Sequence, residues 1–311
     1  MTTYLYTHDD CLEHETPPGH PEQVARLVAI NRALSAPGFD AVTRLHAPMG
    51  ADASVLLAHP ASHLTAIKAA SPAEGFRSLD ADTHMSPGSL QAAFRGVGAN
   101  VAAVDAVMSG AATNAFVATR PPGHHAEKTT PMGFCLFGNV AIAAKHAMAK
   151  HGLSRVSIVD FDVHHGNGTQ DLVWDDAGIQ FISSHQMPLY PGTGAASETG
   201  AHGNVINLPL DTGTNSQTFR RIYEAEVFPA IRAFNPEMIL ISAGFDAHRD
   251  DPLAGLNLVE DDFAWVTRQI CTIAGEVCDG RVVSTLEGGY DLDALAASAA
   301  VHLSCLMEFG Q

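Results

Sequence analysis

The segment DFDVHHGNGTQ, which begins at Asp160, places two carboxylates and two adjacent imidazoles within six positions, directly after the apolar run VSIV. Burying so many polar groups is costly unless they are paired or hold a metal. Side chains two apart on an extended segment share a face, so Asp162 and His164 can grip one ion while Phe161 and Val163 face a core. A catalytic zinc keeps one position open and takes three protein ligands. Asp246, at the end of another strand pattern, is the best third candidate, with Ala243 and Gly244 leaving room for close packing. One aspartate after one strand reads more simply as a cap on a helix or turn. Two strand ends offering Asp-x-His and Asp together favour the metal.

Two carboxylates and one imidazole donate more charge to zinc than three histidines would, so water is acidified less and a separate general base is needed. His124 and His125, in RPPGHHAE, fit that need: Pro121, Pro122 and Gly123 shape a loop able to aim both rings into one pocket. Each ring requires a partner on its other nitrogen, with Asp160 suited to one and Asn167 to the other. An aspartate raises the basicity of its histidine more than an asparagine does, so the two rings should differ in role. Tyr290 follows Gly288-Gly289, where missing side chains let a phenol approach the metal and donate to an oxyanion.

The elements that must position these groups alternate along the chain. Strands are expected at Ala115–Thr119, Val156–Asp160, Ile179–Ser183, Met238–Ser242 and Val282–Leu286, with Val205–Leu208 a further candidate. Helical patterns cover Val140–His151, Ser216–Phe234 and Glu260–Cys278; Ser86-Pro87 reads as a helix cap and Asn235-Pro236 as a helix end. Continuous apolar strands separated by helices indicate an α/β fold, one domain over residues 1–311, with a mostly parallel sheet covered on both faces. In such sheets ligands bind beyond the carboxyl ends of the strands, so the His-, Asp- and Tyr-bearing loops should converge there.

A 311-residue chain with 46% hydrophobic residues can bury a large core. Its formal charge of −17 disfavours nucleic acid and is compatible with a cationic substrate. Five cysteines without a CxxC pair suit structural thiols in a reducing compartment. No uncharged apolar run of membrane-spanning length and no leader pattern is evident, so a cytoplasmic protein without a membrane partner is expected. The sequence is compatible with a homo-oligomer but does not determine assembly.

The motifs HPEQVARL, DTHMSPGSLQAA, RPPGHHAE, GFCLFGN, VDFDVHHGNGTQ, YPGTG, GFDAHRDDPLAG and LEGGYDL span nearly the whole chain. Together they resemble the zinc-dependent histone deacetylases and their bacterial relatives of class II type, including acetylpolyamine amidohydrolases. The resemblance implies an arginase/deacetylase-like fold. It implies Asp162, His164 and Asp246 as zinc ligands, His124 and His125 as catalytic histidines with partners Asp160 and Asn167, and Tyr290 as the transition-state tyrosine. Phe134 and Tyr190 would wall a channel around a lysine stem, with Gly133 and Leu253 also at the substrate and Asp82 at the rim. His165 and Arg26 match positions behind the site or along an internal channel. Potassium near the zinc would be held by backbone carbonyls of Asp160, Asp162, His164, Ser183 and Ser184.

Some positions depart from the family pattern. Gly138 stands where many relatives carry Asn, which is expected to loosen the loop after Phe134; Asn167 replaces the Asp of class I enzymes; His248 is expected to be exposed or at the rim. Leu253 stands where polyamine-selective relatives can carry Glu, favouring an acyl-lysine substrate. The expected reaction is hydrolysis of an N-acyl amide, with His125 as base, Tyr290 and the metal polarising the carbonyl, and a protonated imidazole serving the leaving amine. Acetyl-lysine in proteins or peptides is the leading substrate, and acetylpolyamine or another small amide the alternative.

Rival chemistries fit less well. A binuclear manganese ureohydrolase needs Asp-x-His-x-Asp, but the position four after Asp162 is Gly166. No Gly-x-Ser-x-Gly elbow is present, and nothing separates Cys135 from a buried wall residue. A noncatalytic acyl-binding module would not require the full set of candidate catalytic groups.

Overall fold

The computed structural model describes residues 2–310. Its strands are β1 (Thr3–Thr7), β2 (Thr43–His46), β3 (Arg77–Ser78), β4 (His84–Met85), β5 (Asn114–Val117), β6 (Val156–Asp160), β7 (Ile179–Gln186), β8 (Val205–Leu210), β9 (Met238–Ala243) and β10 (Val282–Leu286). Eight of them form one sheet in the order β2-β1-β5-β10-β9-β6-β7-β8, while β3 and β4 make a separate antiparallel pair. All pairings in the large sheet are parallel.

The helices are α1 (Val24–Leu34), α2 (Asp52–Val55), α3 (Ala61–Ala70), α4 (Ser89–Met108), α5 (Asn139–His151), α6 (Asn167–Val173), α7 (Ser216–Ile222), α8 (Phe228–Phe234), α9 (Glu260–Val277) and α10 (Leu292–Phe309). Side-chain alternation divides the core. Phe116, Val159, Ile239 and Ile241 pack with Leu27 of α1, Phe263 of α9 and Leu303 of α10. Ala115, Val117, Ile158 and Leu240 face Ala103 of α4 and Val140 of α5 on the other side. Strands buried on both faces explain the uninterrupted apolar runs.

The central strands match the expected positions within a few residues. β1 and β2 do not announce themselves in the sequence: β2 lies at the sheet edge with alternating half-buried and exposed positions, too short for a periodic signal. The expected cap at Ser86-Pro87 is corrected. Ser86 O accepts from Ser89 N at 3.0 Å in a turn, and Ser86 Oγ accepts from Glu15 N at 3.0 Å, so α4 starts at Ser89. The Ser216–Phe234 run is α7 and α8 joined by a π-turn at Tyr223–Val227, beside Pro229, which has no N–H to continue the ladder. It ends at Asn235, in the left-handed region at φ 51.

By length and composition α10 could cross a membrane, although 44% of that stretch is buried. Leu295, Leu303 and Leu306 of α10 belong to the core cluster formed with α1 and α9, the arrangement of a core helix.

Candidate metal centre and catalytic site

The carboxyl ends of β5, β6, β7, β9 and β10 deliver the loops that build the site. β6 stops at Asp160, so Asp162 and His164 lie in the irregular segment after it rather than on the strand itself. β9 is the direct neighbour of β6, with Asp160 opposite Ser242, and this register brings Asp246 alongside. One ligand atom from each of Asp162, His164 and Asp246 lies within 4.8 Å of the others. His164 Nδ1 is 3.2 Å from Asp162 Oδ1 and 3.0 Å from Asp246 Oδ2. The carboxylates also accept backbone N–H groups, Asp162 Oδ2 from Gly288 at 2.8 Å and Oδ1 from His164 at 2.9 Å, and Asp246 Oδ1 from Val163 at 2.9 Å.

Two glycines create the space. A Cβ at Gly244 would overlap the Asp162 carboxylate, and one at Gly288 would overlap that of Asp246. Phe161 and Val163 are buried in the core as their alternation with Asp162 predicts.

The donor set fits a divalent cation. Asp160, Asp162, Asp246 and Glu287 are all fully buried around it, and Arg26, whose guanidinium donates to the Glu287 carbonyl, also engages Glu22. Burial raises the Asp246 carboxyl above its ordinary range, with Asp162 adding to the effect. His164 is pushed up to about 10 because its carboxylate neighbours outweigh burial. Such a cluster gathers negative charge that a bound cation relieves.

The paired histidines resolve their partners. His124 Nδ1 lies 3.0 Å from Asp160 Oδ2, and His125 Nδ1 lies 2.7 Å from Asn167 Oδ1. Burial opposes charge on both rings. For His124, Asp162 and Asp160 overcome it and hold the pKa well above 6.5. For His125, burial, reinforced by His124 and His164, holds it well below.

Glu287 is a participant the sequence reading did not single out. Its Oε2 accepts from Gly123 N at 2.7 Å and His124 N at 3.1 Å, and its Oε1 accepts from Ser242 Oγ at 3.1 Å. Burial pushes this carboxyl up to about 7. A carboxylate beside two glycines at a strand end was the available signal. Beneath it, Arg26 donates through Nε to Gly289 O and through an η nitrogen to Glu287 O, both at 2.6 Å. Glu22 joins Arg26, Arg120 and His14 in a buried network.

A channel of about 340 Å³ opens onto this centre, lined by Asp82, His125, Gly133, Phe134, His164, Tyr190, Leu253 and Tyr290 among others. The structure therefore brings together all the expected wall and rim residues, and adds His20, Pro21, Ala81 and Leu189. Gly133 and Phe134 have φ of 54 and 70; a Cβ at Gly133 would overlap the His125 ring, and Phe134 N is held by Thr83 Oγ1 at 3.0 Å. Phe134 thus carries backbone strain at the channel wall.

Two expectations fail. Gly138 does not loosen its loop: its N–H donates to His59 Nε2 at 2.9 Å, and Leu172 occupies the space a Cβ would take. His248 is neither exposed nor at the rim; it is 3% exposed, and its Nδ1 accepts from Asp250 N at 3.2 Å. His165 sits behind the ligands, between Thr193 Oγ1 at 2.8 Å and Gln170 Oε1 at 3.0 Å. Ser183 and Ser184 are buried in β7, with Ser183 the register partner of Asp160.

Comparison with known proteins agrees with this fold. The histone deacetylase domain family matches residues 20–306. An uncharacterized protein of Synechocystis is 44% identical over 99% of this chain and 100% of its own length. A histone deacetylase-like amidohydrolase of Pseudomonas aeruginosa is 38% identical over 88% of this chain and 73% of its own. The chain spans a little over half the length of the chloroplastic plant histone deacetylases it matches. The crystal structure of the HDA15 HD domain superposes with a TM-score of 0.94 at 32% identity, covering 99% of this chain and 89% of that one. A parallel sheet, its convergent loops and this match across the chain have one reading: the protein belongs to the histone deacetylase family, typically zinc-dependent, and is a hydrolase of its deacetylase and amidohydrolase kind.

Proposed function

We propose that the protein hydrolyses the N-acyl amide of an alkylamine, foremost N-acetyl-lysine in a protein or peptide. The observation that carries this reading is the channel itself. Phe134, Tyr190 and Leu253 offer apolar walls for an unbranched stem, His125, His164 and Tyr290 meet its end, and Asp82 stands at its mouth. Asp162, His164 and Asp246 would hold zinc, which when bound supplies Lewis-acid polarisation and acidification of water.

The chain's own groups supply the rest. His125, with Nδ1 engaged by Asn167, has Nε2 left to take a proton from water. His124, braced by Asp160, stabilises charge beside it and serves the departing amine. The Tyr290 hydroxyl donates to the developing oxyanion. Arg26 and Asp251 anchor the turn that carries this phenol: Asp251 Oδ2 accepts from Tyr290 N at 2.7 Å. Potassium belongs to the same reading, held by carbonyls of Asp160, Asp162, His164, Ser183 and Ser184. Five buried free thiols support a reducing, cytoplasmic setting.

A second reading, hydrolysis of an acetylpolyamine, is favoured by the acidic mouth, where Asp80 and Asp82 lie close enough to raise the Asp82 pKa together with burial. Leu253, an apolar wall residue, weighs against it. The deciding experiment offers acetyl-lysine peptide, acetylpolyamine and a simple amide in parallel, with and without chelator and restored zinc. Peptide turnover lost on chelation and recovered with zinc is expected. Preference for the polyamine would select the second reading, and chelator-insensitive turnover would refute both.

A further inference from the structure

Behind His125 the hydrogen bonding continues away from the channel. Asn167 Oδ1 lies 2.7 Å from His125 Nδ1, while Asn167 Nδ2 donates to Glu127 Oε1 at 2.8 Å and to Met132 Sδ at 3.3 Å. Asn167 is 5% exposed, so its amide has few alternatives.

Taken alone, a carboxamide facing a neutral imidazole has two self-consistent arrangements. In one, Oδ1 accepts from Nδ1–H, and Nε2 keeps its lone pair toward the channel. In the other, the amide is turned, its NH2 donates to a bare Nδ1, and Nε2 carries the hydrogen and takes no proton. The two differ by one amide rotation, and only the first leaves a base.

Glu127 breaks this symmetry. A carboxylate accepts and does not donate, and the Met132 thioether does the same more weakly. Turning the Asn167 amide would set Oδ1 against the carboxylate, lone pair to lone pair, and forfeit both outer hydrogen bonds. We propose that Glu127 is a positioning residue that fixes the Asn167 amide and thereby selects the His125 tautomer whose Nε2 is basic. It touches neither substrate nor metal and acts through Asn167. The inference rests on His125 serving as the base in the proposed hydrolysis.

The test compares zinc-loaded wild type with Glu127→Leu, which removes the acceptor, and Glu127→Gln, which keeps the reach but can donate as well as accept. For Glu127→Leu, kcat is expected to fall about tenfold or more, with KM within roughly twofold and zinc content unchanged, because only proton transfer is lost. Nitrogen-15 spectra of histidine-labelled protein, with His125 identified through His125→Ala, should show Nδ1 protonated in wild type and a second tautomer in Glu127→Leu. Glu127→Gln should also show the second tautomer, because its amide can turn and donate to a turned Asn167. A Glu127→Leu protein with wild-type kcat, or with lowered kcat but an unchanged His125 spectrum, overturns the inference, as does a Glu127→Gln protein with the wild-type His125 spectrum. Wild type inactive on every amide would instead sink the hydrolysis reading, while the spectra would still decide the tautomer.

Discussion

The guanidinium of Arg26 lies 4.9 Å from the centre of the Tyr290 ring, and its Nε holds the carbonyl of Gly289 immediately before that residue. A buried cation therefore fixes both the ring and the turn that carries it. Burial raises the Tyr290 pKa well above 10, with Arg26 pulling the other way, so the phenol stays protonated and able to donate.

Tyr290→Phe should consequently lower kcat by about 10²–10³ while retaining metal, the scale for loss of one oxyanion donor. Steady-state kinetics with metal analysis on the same preparation checks it. Near-normal turnover would remove Tyr290 from the reaction.

Asp162→Ala and Asp246→Ala should each lose metal and activity together. Gly244→Ala is expected to do the same without removing any ligand, because its Cβ would displace the Asp162 carboxylate. Circular dichroism alongside metal content separates this from unfolding. A folded Gly244→Ala protein with full metal would show that the close approach does not matter.

Asp82 lines the channel with Thr83 Oγ1 donating to it at 3.1 Å, and the rim is its proposed place. Asp82→Ala is expected to raise KM for an acetyl-lysine peptide severalfold while leaving a small acetyl amide unaffected, since only the longer substrate reaches the rim. Equal effects on the two would place Asp82 in the fold rather than in recognition.

His302 projects from α10 against the sheet, behind Phe161 and Phe245. Thr267 Oγ1 donates to Phe263 O at 2.6 Å and so must accept from His302 Nδ1 at 2.7 Å, leaving Nε2 to accept from Ser284 Oγ at 2.9 Å. The ring is buried neutral, and burial pushes its pKa down to about 3. Between pH 6.5 and about 3 the unfolded chain binds a proton that the folded chain refuses, so stability falls as pH falls, by up to about 1.4 kcal/mol per unit. His302→Phe, among Phe116, Phe161 and Phe245, should flatten the decline of Tm between pH 6.5 and 4.5. An unchanged slope would exclude His302 as a contributor.

Much of the site was legible because its donors cluster in short motifs at strand ends, where residue type alone reveals cost and purpose. Asp162 with His164, the His124-His125 pair and the Gly288-Gly289-Tyr290 turn are local features. So are the apolar runs of β6, β7, β9 and β10, because burial on both faces leaves no polar alternation to confuse them. The short edge strand β2 and the turn at Ser86 were not legible, since neither carries a sustained period.

Residue types and their local spacing determined that this chain is an α/β protein with carboxylates, imidazoles and a phenol gathered at its strand ends. Only the tertiary structure decided which of those groups meet. Strand register sets Asp246 against Asp162, gives Asp160 to His124 and Asn167 to His125, and carries Glu287 back to the Gly123–His124 backbone. Pairing across 36 to 164 residues depends on how strands align in space, and the local motifs do not by themselves fix that alignment.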